Sequence, residues 1–169
     1  MTKRQQSIYN QLYERMKSVC KTFKMPMARL KQDNRLGVGG RYYAYEWIIK
    51  YNLKKCTDTE DNNISYIFIY VCLYHELGHH RCYTRYKHNT QHSRERQEIH
   101  AELFNLRCLK KYHDKAIVNY YIRWVKTSWL PWLKEEYPIH YKAFSKIKEY
   151  KDENCGRKLP PTEEERRKG

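Results

Sequence analysis

No apolar run in the chain approaches the roughly 20 residues that a membrane-spanning helix needs, so the sequence argues against a helical membrane protein. The N-terminus, Met1-Thr2-Lys3-Arg4-Gln5-Gln6, lacks the apolar core of a signal peptide. Both absences predict an intracellular, cytoplasmic protein. The six cysteines stand at positions 20, 56, 72, 82, 108 and 155, and none belongs to a CxxC pair. That removes a zinc knuckle and a dithiol redox motif, and in a reducing compartment the thiols are expected to be free. Cys72 and Cys108 fall on expected core faces, where a cysteine behaves as a small apolar residue. There are no internal repeats and no recognisable helix-turn-helix. Acidic side chains are scarce, 19 against 34 Lys and Arg, which gives a net charge of +15. Such an excess attracts nucleic acid, anionic surfaces or acidic proteins. The basic residues are spread along the whole chain without a long run, so no binding stripe is marked.

What is present is a tyrosine-rich composition, 40% hydrophobic and 31% charged, in a chain of 169 residues. This is enough for one domain with a real core. The pattern predicts an α+β domain, mainly helical with a small sheet, over residues 1–155, followed by a charged tail at 156–169. Ile8, Leu12, Met16, Val19 and Phe23 form one apolar stripe, and a helix is expected over 3–24, ended by Pro26. Asn34, Gly37, Gly39 and Gly40 are turn residues. The aromatic run that follows predicts one or two strands over 42–51, joined to a short strand near 35–38. Asp58, Asp61, Asn62 and Asn63 make a polar loop that offers a helix N-cap. Residues 64–71 are almost wholly apolar and lead without Gly or Pro into position 75, which predicts a central, buried helix.

On that helix stands His75-Glu76-Leu77-Gly78-His79. Residues four apart lie on one helical face, so the two imidazoles can grip one metal ion. Glu76 lies about 100° further round, beside the metal rather than on it, where it can take a proton from water. This is the HExxH arrangement of zinc peptidases. The plain alternative is a helix carrying solvated histidines. Gly78 is costly within a helix, by roughly 1 kcal/mol against Ala, which a close approach by another backbone would explain.

A three-ligand zinc site needs one more protein ligand. Positions 80 to 97 separate His79 from Glu98-Ile99-His100-Ala101-Glu102. Glu98 and Glu102 are again four apart on an expected helix, begun by Ser93 as N-cap and running to about Tyr112 with Leu103, Leu106 and Leu109 on its apolar side. One glutamate can ligate while the other accepts a hydrogen bond from a ligand histidine; a solvated acidic face is the alternative. His88, His92 and Cys82 remain as other third ligands. Tyr83 and Tyr86 stand where the metzincin pattern needs Gly and His, which excludes that pattern. Asp114 can cap a helix over about 115–130, with Ile117, Tyr121, Trp124 and Val125 inward and Pro131 as its end. Pro138 can open a last helix anchored by Phe144 and Ile147.

HELGH followed by an ExxA(D/E) helix resembles the gluzincin zinc metallopeptidases, most nearly the ImmA/IrrE-like peptidases, over about residues 64–112. The resemblance implies Zn2+, one per chain, on His75, His79 and Glu98. It implies Glu76 as general base and Glu102 as the outer partner of a ligand histidine, where the ExxAD pattern has Asp. It implies hydrolysis of peptide bonds in a protein or peptide substrate by a zinc-dependent metalloendopeptidase. In gluzincins an edge strand before the HExxH helix pairs with the extended substrate; here that would be the run after Gly40, which can equally be a plain sheet strand. A donor to the oxyanion would come from His113, Tyr120 or Tyr121. Two other readings stay open: a virion or mobile-element binding protein that keeps the fold, and a DNA-associated protease or regulator.

Overall fold

The computed structural model describes residues 3–57, 62–86 and 93–151. The chain is an α+β domain, mainly helical with a three-stranded sheet. Helix α1 spans Lys3–Thr22 and buries Leu12, Met16, Val19 and Cys20, so the apolar stripe is core. Strands β1 (Arg29–Gln32), β2 (Gly40–Tyr43) and β3 (Ile48–Tyr51) follow. Their order is β1-β3-β2, with β1 parallel and β2 antiparallel to β3, so β2 is an edge. The short strand expected near 35–38 is therefore at 29–32 instead. The intervening residues turn: the Asp33 carboxylate accepts from the Arg35 amide, and the buried Asn52 side chain donates to the carbonyls of Asn34 and Leu36. The run over 42–51 is split by a 3-10 turn, Ala44–Glu46, and by Trp47 at φ 51°.

After α2 (Leu53–Thr57) comes α3, Asn62–Tyr86, which carries the expected apolar segment and HELGH in one continuous helix. It continues six residues past His80, so Arg81 and Cys82 are helical. Helix α4 spans Arg94–Tyr112, and the Ser93 hydroxyl accepts from the Arg96 amide as its N-cap. Its inward face holds Glu98, Ala101, Glu102, Asn105, Cys108 and Leu109. Turning the two glutamates inward rotates Leu103 to the surface, where it is 42% exposed, while Phe104 is buried in its place. Within the core, Cys108 is fully buried, and Cys20, Cys56, Cys72, Cys82 and Cys108 are all free thiols.

Helix α5, Lys115–Trp124, passes through a π-helical segment, Val125–Trp129, into α6, Leu130–Glu136. Pro131 thus does not end the helix. It sits in the first turn of α6, where its missing N–H costs nothing, and the Leu130 amide reaches back five residues to Val125. Helix α7, Pro138–Phe144, opens at Pro138, and a 3-10 turn at Lys148–Tyr150 follows. Phe144 and Ile147 are both buried. No helix among the described residues is long and apolar enough to cross a membrane. The expected tail at 156–169 and the cap residues Asp58 and Asp61 lie outside the described residues.

The centre of the fold is the crossing of α3 over α4. A Cβ built on Gly78 would stand 2.6 Å from the Ala101 Cα and 2.8 Å from its carbonyl oxygen. Backbone meets backbone here, which accounts for a glycine in mid-helix. Gly78→Ala is expected to lower stability by about 1–3 kcal/mol through overpacking, despite the roughly 1 kcal/mol that alanine gains in helix propensity. Urea unfolding measures it, and an unchanged or raised midpoint would contradict the crossing.

Candidate metal centre

Gly78 lies between His75 and His79 in α3, and Ala101 between Glu98 and Glu102 in α4. The close crossing therefore presents two imidazoles to two carboxylates. Among the described residues, His75, His79 and Glu98 form the one His/Cys/Asp/Glu group that could hold a metal ion. His75 Nε2 is 3.2 Å from His79 Nε2 and 3.2 Å from Glu98 Oε2, and His79 Nε2 is 3.6 Å from that same oxygen. Tetrahedral ligands at about 2.0–2.1 Å from a small divalent metal stand about 3.3 Å apart. The donor triangle has that size, and its two nitrogens and one carboxylate oxygen suit a borderline cation.

His75 is oriented from behind. The Nδ1 of His75 faces Glu102 Oε2 at 3.3 Å, so its other nitrogen points into the triangle. Glu102 is fully buried, and its carboxylate also accepts from Asn105, Tyr121 and Tyr150. Burial and the adjacent Glu102 charge push both phenols well above the usual tyrosine range, so they stay protonated donors. Burial works against a charge on His75, but its hydrogen bonds to Glu102 and Glu98 and the nearby Glu76 outweigh it and raise its pKa to about 10. Burial would raise the Glu98 carboxyl, but hydrogen bonds from His75 and His79 hold it below the ordinary carboxylate range. The carboxylates around the imidazoles thus favour positive charge at the centre.

The group opens onto a cleft of about 670 Å³. Glu76, next to His75, lines it and is 8% exposed. Opposite Glu76 runs the start of β2: a Cβ on Gly40 would meet the Glu76 Cγ at 3.1 Å, and one on Gly39 would meet the Cys72 sulfur at 2.6 Å. These glycines, which the sequence marks as turn residues, also let the strand lie against the glutamate. Cys72 is half-buried and faces the cleft rather than the core. The far wall is aromatic: Phe144 lies 6.1 Å from His75, Trp129 lies 5.3 Å from Phe144, and Phe68 lies 6.3 Å from Trp129, between ring centres.

The remaining expected residues divide clearly. Cys82 lines the cleft but stands outside the ligand group, and burial raises its thiol pKa. His88 and His92 lie outside the described residues. His80, fully buried, is a structural link, with Nδ1 2.9 Å from the Tyr42 hydroxyl and Nε2 3.0 Å from the Pro26 carbonyl. None of the three expected oxyanion donors reaches the cleft. His113 pairs with the Tyr74 hydroxyl at 3.0 Å, Tyr121 is occupied with Glu102, and Tyr120 lies on an outer face. In their place stands His140 of α7, whose Nε2 is 3.7 Å from Glu98 Oε2, with Tyr137 beside it on the cleft wall. A lone histidine after a proline carries no periodic signal, and its position depends on how α7 packs across α4.

No protein-family model matches the chain, and neither does any curated protein or any solved structure. The ligand triangle leads to a direct expectation. Protein purified without added metal and analysed for elements should carry one divalent metal per chain, lost in both His75→Ala and Glu98→Ala. Full retention in Glu98→Ala would contradict the triangle.

Proposed function

We propose that the chain is a zinc-dependent peptidase of the gluzincin type, with His75, His79 and Glu98 as zinc ligands. The observation that carries this reading is the donor triangle of 3.2, 3.2 and 3.6 Å with Glu76 directly beside it on the same cleft. Zinc, when bound, supplies Lewis acidity, polarising a carbonyl oxygen and lowering the pKa of water toward about 7. The chain's own residues do the rest. Glu76 accepts a proton from the attacking water on its carboxylate and delivers it to the leaving amine. Its half-enclosed position against Gly40 excludes bulk water from one side of that carboxylate. His140 and Tyr137 offer N–H and O–H donors on the cleft wall for the oxyanion that develops at the scissile carbonyl. Glu102 holds the His75 ring through Nδ1.

The substrate side of the cleft supports an extended peptide. β2 is an edge strand, and Gly40, Arg41 and Tyr42 line the cleft. An extended chain can add to such an edge through main-chain hydrogen bonds. The row of Phe144, Trp129 and Phe68 offers an apolar seat for one substrate side chain.

Glu76→Gln tests the reading. It preserves size and leaves the ligands untouched, so the variant should keep its zinc. Hydrolysis of a random peptide library, read by mass spectrometry, should fall by about 10²–10⁴-fold, the usual worth of a general base. Equal turnover in wild type and variant would overturn the role of Glu76. A zinc-loaded wild type that cleaves nothing in the library would favour a binding protein that uses the site as a scaffold.

A further inference from the structure

Glu102 is the most heavily hydrogen-bonded side chain near the centre, and the hydrolytic steps do not use it directly. A carboxylate withdrawn from water is costly unless its lone pairs are met. Here they are met unequally. Oε1 accepts from the Tyr150 hydroxyl at 2.5 Å, the Tyr121 hydroxyl at 3.2 Å and the Asn105 amide at 3.1 Å. Oε2 faces the Asn105 amide at 3.2 Å and the Nδ1 of His75 at 3.3 Å. The donors come from three separate elements: Asn105 one turn along α4, Tyr121 on α5, and Tyr150 in the C-terminal 3-10 turn. Tyr121 is fully buried and Tyr150 is 5% exposed, so water does not compete for either hydroxyl.

We propose that Tyr150 and Tyr121 are positioning residues of the metal centre. By filling Oε1 they leave Oε2 of Glu102 to the Nδ1–H of His75, and so keep His75 Nε2 aimed at the metal. The inference rests on the zinc reading of the site and adds to it a dependence on a remote part of the chain. Tyr150 lies 48 residues beyond Glu102. Its turn is docked by an ion pair from Lys110 to Glu149 at 3.1 Å and by the Lys126 ammonium donating to the Lys151 carbonyl at 3.4 Å. Because a coupling between two equilibria acts equally in both directions, docking of this turn strengthens metal binding, and metal binding holds the turn in place.

The test uses the full chain and four proteins: wild type, Tyr150→Phe, Tyr121→Phe/Tyr150→Phe, and Tyr74→Phe. Tyr74 is an apt control, since it is fully buried and, among the described residues, its hydroxyl bonds to His113, away from Glu102. Zinc affinity is measured by competition with a chromophoric chelator, and site geometry by the visible absorption of the cobalt-substituted protein. Circular dichroism reports folding, and Tyr121→Phe alone replaces any variant that does not fold. Loss of groups that orient a ligand histidine typically weakens metal binding by about 10–100-fold. About tenfold is expected for Tyr150→Phe and more for the double variant, each with an altered cobalt spectrum, while Tyr74→Phe matches wild type. Affinities of Tyr150→Phe and the double variant within about twofold of wild type would overturn the proposal and leave the zinc reading intact. An equal loss in Tyr74→Phe would reduce it to general packing. No zinc or cobalt on wild type would overturn the zinc reading and this proposal with it.

Discussion

The contact of Gly78 with Ala101 governs the architecture of the centre. Two helices approach to backbone contact only where neither carries bulk, and here each small residue is flanked by site residues. His75 and His79 lie one turn apart around Gly78, and Glu98 and Glu102 lie one turn apart around Ala101. At a wider crossing the carboxylates would not reach the imidazoles, and the triangle of 3.2, 3.2 and 3.6 Å would open beyond the reach of one small cation. Packing and chemistry are therefore the same constraint at this point. The rest of the fold is disposed around it: α1 and the sheet cover α3, and α5, α7 and the terminal turn enclose α4.

Electrostatics then follow from burial. Glu76, Glu98 and Glu102 are all buried and all act on His75, in a protein whose overall charge is strongly positive. Such a concentration of carboxylates away from water is tolerable only with compensating cations and donors. Tyrosines, an asparagine and the imidazoles supply part of this. A metal ion at the triangle would supply the rest, which links occupancy of the site to stability of the domain.

Much of the site is legible in the sequence because it is periodic. HELGH and the Glu98–Glu102 pair declare themselves by four-residue spacing, and the two structures that spacing predicts, α3 and α4, are both present. Gly78 is legible as a close approach because a mid-helix glycine needs a reason. The pieces that escape sequence reading are single residues brought in by tertiary packing. His140 and Tyr150 have no spacing that ties them to the motif, and Tyr121 reads as an ordinary inward-facing core residue. β1 escapes because four residues with weak alternation carry little signal, whereas the Asp33 turn that displaces the expected strand depends on Asn52, far along the chain. Leu103 misleads because hydrophobicity alone ranks it above glutamate for burial, and the chemistry of the site reverses that order. Pro131 misleads because a proline after a helical pattern reads, in one dimension, as its end, whereas here the π-helical segment before it carries the helix on.

The most direct measurement is zinc K-edge absorption fine structure on the zinc-loaded chain. Two imidazole nitrogens with oxygen donors at about 2.0–2.1 Å and no sulfur are expected from His75, His79 and Glu98. A sulfur scatterer at about 2.3 Å would bring Cys72 or Cys82 into the ligand set and contradict the triangle.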